Sequence, residues 1–111
     1  MAAVGIDFGN LYSTVCVAQN RGIDTLLNEV NSRGTPSMVS FSEKRDIGEA
    51  ALSQYNRNVK NTVSNLKRLI GRKFADPVVQ EESRWLPFKM KELENGDIGI
   101  PVQYHGEEIV F

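Results

Sequence analysis

Apolar and polar positions alternate strictly near the start of the chain, where Val4, Ile6 and Phe8 are interleaved with Gly5 and Asp7. A period of two predicts a β-strand, and "AAVGIDFG" and "YSTVCVAQ" are both rich in β-branched and aromatic residues. Gly9-Asn10-Leu11 lies between them and predicts a hairpin turn. "NRG" (20–22) is the next turn signal, "IDTLLNEV" (23–30) reads as a third strand, "NSRGTP" (31–36) as a loop and "SMVSFS" (37–42) as a fourth strand. Successive strands joined by tight turns predict an antiparallel meander.

The period changes after Asp46. "IGEAALSQYNRN" (47–58) reads as a short helix. Over 58–71 Val59, Val63, Leu66 and Ile70 recur at helical spacing, with Asn58 or Asn61 as a cap and Gly71 at the C′ position. This is the best helix the pattern offers. Asp76-Pro77 opens a further helical turn within 75–85. From Leu86 the pattern returns to strands, with a hairpin signal at Asn95-Gly96 and strand-like runs in "IGIPVQYHG" and "EEIVF". The run ending at Phe111 predicts that the chain is the first part of a larger α/β domain.

Composition narrows the class. In 111 residues, 41% are hydrophobic and 24% charged, as in ordinary soluble domains. The net charge of −1 gives no electrostatic case for nucleic-acid or membrane binding. A single cysteine, Cys16, excludes an internal disulfide and suits a reducing compartment. No basic n-region precedes a long apolar stretch, and no run approaches the roughly 18 apolar residues of a membrane span. The expectation is a cytoplasmic or nuclear protein.

Two places carry candidate chemistry. The first is the turn after Phe8. Successive backbone amides in a glycine-containing turn form a concave nest for phosphate, and a carboxylate ending the preceding strand can hold magnesium through waters. Asp7 and Gly9-Asn10-Leu11-Tyr12 have that layout, although the same residues also make an ordinary hairpin turn with an Asx-type bond. Neither the P-loop nor the dinucleotide fingerprint is present. Asp7 points away from the Val4–Ile6–Phe8 face, and a carboxylate in an apolar strand needs a partner. The second place is "NLKRLIGRKF". Arg72 and Lys73 suit a helix C-terminus. On a helix Lys67 falls roughly 40° from Val63 and 60° from Ile70, at the edge of the apolar stripe. From there it either snorkels to water or reaches an anion in a cleft. His105 has no spaced ligand partners, and Trp85, Phe88 and Tyr104 read as core or rim aromatics.

In order along the chain, "GIDFGNLYSTVCVA", "NEVNSRGTPSMVSF", "IGEAA", "NTVSNLKRLIGRKFADP" and "VQYHGEEIVF" resemble the amino terminus of the seventy-kilodalton heat-shock chaperone superfamily. The resemblance implies an α/β, actin-like (ribonuclease H-like) ATPase fold, of which these residues form an incomplete first lobe. That lobe would comprise an antiparallel N-terminal meander, a helix and a later small sheet. Residues 1–36 would belong to the core subdomain with the phosphate loop, and 37–111 to the upper subdomain. It further implies ATP or ADP with Mg2+ as cofactors. Asp7 would serve the magnesium through water, and Gly9, Asn10, Leu11 and Tyr12 would line the phosphates. Lys67 would act as the cleft lysine that orients the attacking water, and Arg68 would flank the site.

Ordinary members carry two threonines where this chain has Asn10-Leu11. That pair is more similar to the larger 110-kilodalton branch, especially its fungal members. The resemblance to that branch implies a nucleotide exchange factor for an ordinary chaperone partner and a holdase for unfolded clients, with slow hydrolysis. The alternatives are a conventional ATP-hydrolysing foldase, a sugar or acetate kinase of the same fold, which shares the loop but not "NSRGTPS" or "NLKRLIGR", and a small binding module acting alone.

Overall fold

The computed structural model describes all residues from 1 to 111. The opening alternation forms β1 (Ala3–Phe8) and β2 (Tyr12–Gln19), paired antiparallel from Ala3↔Ala18 to Phe8↔Ser13. Asn20 and Arg21 both take positive φ, 50° and 63°, which gives the two-residue turn that matches strand twist and leads into β3 (Gly22–Thr25). The short strand β4 (Thr35–Pro36) pairs with β2 at Tyr12 and Ser13 and completes a four-stranded sheet. The meander is therefore present.

The third strand stops at Thr25 rather than at Val30. Asn28 turns the chain there: its Oδ1 accepts from the amides of Val30 (3.1 Å) and Ser32 (2.9 Å), and its Nδ2 donates to Thr35 Oγ1 (3.2 Å). A side chain that supplies local acceptors competes with the ladder, and the strand gives way to a loop.

A second region follows, and it holds the hydrophobic core. Strands β5 (Met38–Phe41), β6 (Arg45–Ile47) and β7 (Thr62–Ser64) form a sheet in the order β6-β5-β7. Helix α1 (Glu49–Gln54) buries Ala51 completely; helix α2 (Pro77–Glu82) starts as expected, with the Asp76 side chain accepting from the Val78 amide and Pro77 in the first turn. Strands β8 (Lys91–Glu92) and β9 (Ile98–Gly99) flank the Asn95-Gly96 turn. Strands β10 (Pro101–Tyr104) and β11 (Glu107–Val110) form the last hairpin around His105-Gly106. Phe41, Val63, Leu69, Val79, Phe88, Ile100 and Val102 make one core, with Tyr104 packed at its edge. Trp85 stays outside it, 77% exposed. His105 takes a positive φ of 53° in its turn, and Cys16 is half-buried.

The helix expected over 58–71 is absent. Its residues form a 3₁₀ turn (Val59–Asn61), strand β7 and a second 3₁₀ turn (Leu66–Arg68). Side-chain bonds explain the change. Asn58 Nδ2 donates to the Phe41 carbonyl (2.7 Å) and Ser40 Oγ (3.1 Å). Thr62 Oγ1 donates to the Asn58 carbonyl (2.8 Å) and accepts from the Ser40 hydroxyl (3.0 Å). These bonds dock the segment on β5 as a strand. Asn65 then adopts φ 57°, ψ 24°, which no right-handed helix can contain. Leu66 and Val63 still meet the core, whereas Ile70 is 64% exposed. Arg72 and Lys73 are held by Asp76 (3.1 Å) and Asp97 (2.5 Å), not by a helix dipole.

No residue before Pro36 is buried. Val4, Ile6 and Phe8 on one face of β1 are 65%, 68% and 53% exposed. The Cα radius of gyration, 16.4 Å, exceeds the roughly 13 Å of a compact domain this size, and the extents are 50 × 29 × 23 Å. No helix is long and apolar enough to cross a membrane.

Candidate functional site

The two regions meet at the turn between β1 and β2. Gly9 is required there by close approach: a Cβ at this position would overlap the Tyr12 carbonyl oxygen. The chain thus folds tightly back on itself. The amides of Gly9, Asn10 and Leu11 donate to no protein acceptor. Three successive unpaired N–H groups in a tight turn are the raw material of an anion nest. The loop is anchored from the side. The Ser37 amide donates to the Leu11 carbonyl (2.9 Å), and the Ser13 and Ser37 hydroxyls share a 2.7 Å hydrogen bond.

Lys67 reaches this turn although no helix carries it. Its Nζ donates to the Phe8 carbonyl (2.5 Å) and lies 5.8 Å from the centre of the Phe8 ring. Asn10 Nδ2 donates to Asn65 Oδ1 (2.9 Å). A cavity of about 180 Å³ lies at this junction, lined among others by Gly9, Asn10, Ser13, Ser37, Leu66 and Lys67. Lys67 is exposed on its outer side, so its ammonium is available to an anion at the mouth.

The other expected site residues divide. Asp7 is exposed and makes no hydrogen bond or ion pair; solvent, not a protein partner, takes its carboxylate. No three His, Cys, Asp or Glu side chains cluster, so a cation here would have one carboxylate and otherwise water or phosphate oxygens, an arrangement magnesium accepts. Leu11 and Tyr12 are 63% and 53% exposed and line no part of the cavity. Arg68 lines no part of the cavity, and its Nη1 pairs with Glu82 Oε1 of α2 at 2.7 Å. Sequence reasoning missed Asn65, Ser13 and Ser37. The signal available for Asn65 was its residue type, since asparagine is the non-glycine residue that most readily adopts positive φ.

Residues 3–111 match the family model described as Hsp70 protein. The chain belongs to the Hsp70 family. The 97 kDa heat shock protein of Strongylocentrotus purpuratus is 50% identical across 100% of this chain and 13% of its own length. A heat shock protein homolog of the yeast Candida glabrata is 49% identical over 96% of this chain and 16% of its own. Heat shock 70 kDa protein 16 of Arabidopsis thaliana is 48% identical over 96% and 14%. The chain therefore spans about one-seventh of the length of the curated relatives it matches. The expected likeness to the larger and fungal heat-shock proteins holds for this Hsp70-family chain, and so does the incomplete α/β first lobe.

Proposed function

We propose that this Hsp70-family chain supplies one wall of an ATP site in a molecular chaperone, a nucleotide exchange factor for an ordinary Hsp70 partner and a holdase for unfolded clients in the cytoplasm. The observation that carries the ATP reading is the run of unpaired amides at Gly9, Asn10 and Leu11 in the turn that the Lys67 ammonium reaches at Phe8. Amide dipoles and one exposed cation suit the β- and γ-phosphates, and Asp7 is free to hold a water of a magnesium ion. The ion, when bound, would offset phosphate charge. Support for the exchange-factor branch comes from Asn10-Leu11 in place of two threonines and from the 50% identity to a heat shock protein of 97 kDa, larger than the seventy-kilodalton class.

Mixing the full-length protein with an ADP-loaded Hsp70 partner is expected to accelerate ADP release; unchanged release would refute the exchange-factor reading. One observation favours a conventional foldase instead: Leu11 lines no part of the cavity, so a missing hydroxyl there leaves the wall unaltered. That reading predicts ATP turnover stimulated by a J-domain partner and abolished by Lys67→Ala.

A further inference from the structure

We infer that Asn65 is a positioning residue whose bridge to Asn10 holds Lys67 against the phosphate loop. Asn10 belongs to the turn after β1, and Asn65 lies 55 residues later, immediately before the 3₁₀ turn that carries Lys67. The Arg68 amide donates to the Asn65 carbonyl (3.1 Å) and closes that turn. Asn65 thus makes two attachments at once: its backbone starts the turn, and its side chain is held by the loop. Lys67 departs two residues on, and its Nζ returns to Phe8, two residues before Asn10.

The bridge also fixes the Asn10 amide. Asn10 Oδ1 is the one buried side-chain polar atom of the chain with no partner. Turning this amide alone would set that oxygen against Asn65 Oδ1, acceptor against acceptor, so the orientation of the Asn10 amide is tied to that of Asn65. The positive φ of Asn65 separates two roles that a substitution can tell apart. Glycine keeps the left-handed backbone and loses the bridge. Aspartate keeps an acceptor for Asn10 Nδ2 and tolerates the backbone.

The test uses the full-length protein, and its first arm needs no nucleotide. Acylation of lysines by an activated ester, read by mass spectrometry, should proceed several-fold faster at Lys67 in Asn65→Gly than in the unaltered protein. Lys89, an exposed lysine away from the cavity, should not change, and Asn65→Asp should restore the slow rate at Lys67. An unchanged Lys67 rate in Asn65→Gly overturns the inference, as does failure of Asn65→Asp to restore it. The second arm rests on the ATP reading above. Asn65→Gly should weaken ATP several-fold more than ADP in calorimetric titration, and the difference should vanish in a Lys67→Ala background. A moved Lys67 rate in a protein that binds no ATP upholds the bridge and sinks the ATP reading instead. Loss of affinity that persists undiminished in Lys67→Ala overturns action through Lys67.

Discussion

Replacing Thr62 with alanine tests why residues 58–64 form a strand. Within a helix, Thr→Ala is favourable by up to about 0.7 kcal/mol. In β7 the same change removes two hydrogen bonds of a fully buried hydroxyl, to Ser40 Oγ and to the Asn58 carbonyl. Each has a net worth of about 1 kcal/mol. The lost methyl adds about 0.8 kcal/mol of buried apolar group. The sum is a destabilisation of about 3 kcal/mol, opposite in sign to the helical expectation. The Asn58 carbonyl keeps the Asn61 amide as a donor, but the buried Ser40 hydroxyl proton loses its acceptor. An unsatisfied buried donor adds to the cost, so about 3 kcal/mol is the lower end. Hydrogen exchange of the β5–β7 amides is the direct assay, and 3 kcal/mol corresponds to roughly a 100-fold loss of protection. Thr62→Ala and Ser40→Ala share one bond, so the double variant should fall short of additivity by about 1 kcal/mol. Unchanged or increased protection in Thr62→Ala would refute the account.

Two further outcomes follow from the site and its surroundings. Gly9→Ala must push the Tyr12 carbonyl aside by about 1 Å, and a nest displaced that far should bind ATP about 100-fold more weakly in calorimetry, with an unaltered circular dichroism spectrum. Asp76 is held below its ordinary value of 3.8 by the Val78 amide and then Arg72, and Asp97 chiefly by the Lys73 ammonium. A depressed folded-state pKa stabilises above the unfolded value, so this contribution is complete at neutral pH and is lost as pH falls below about 4 through the folded values. An acid titration should therefore lose less structure per pH unit in Asp97→Asn than in the unaltered protein, and an identical slope would count against the Lys73 pairing.

Much of the fold was legible wherever one local rule acted alone. Alternation at Val4–Ile6–Phe8 marked β1, Asp76-Pro77 marked the start of α2, and Asn95-Gly96 marked a hairpin. Residues 58–71 show where such reading stops. Val59, Val63, Leu66 and Ile70 have helical spacing, yet Asn58, Thr62 and Asn65 offer the chain side-chain bonds and a left-handed turn that outweigh it. The partners of those bonds, Ser40 and Phe41, lie about twenty residues upstream and leave no mark in the segment itself. The site was legible in parts. Gly9 and Lys67 emerge from their motifs, but Lys67 reaches the loop by a different route from the one periodicity implied. Arg68, its neighbour, is committed to Glu82.

The cavity is closed by contacts that span 55 residues for Asn10–Asn65 and 59 for Lys67–Phe8. Closing a loop of that size in an open chain costs about 3.6 kcal/mol of entropy, more than these two hydrogen bonds return at about 1 kcal/mol each, so they form once the β2–β4 and β5–β7 pairings have brought the ends close. The β1–β2 and β10–β11 hairpins need no such closure and can form early. The junction is therefore a late product of folding, made after each region has its own strands. Variants of Asn10, Asn65 or Lys67 should consequently alter how fast the native state opens and leave the rate at which it forms almost untouched.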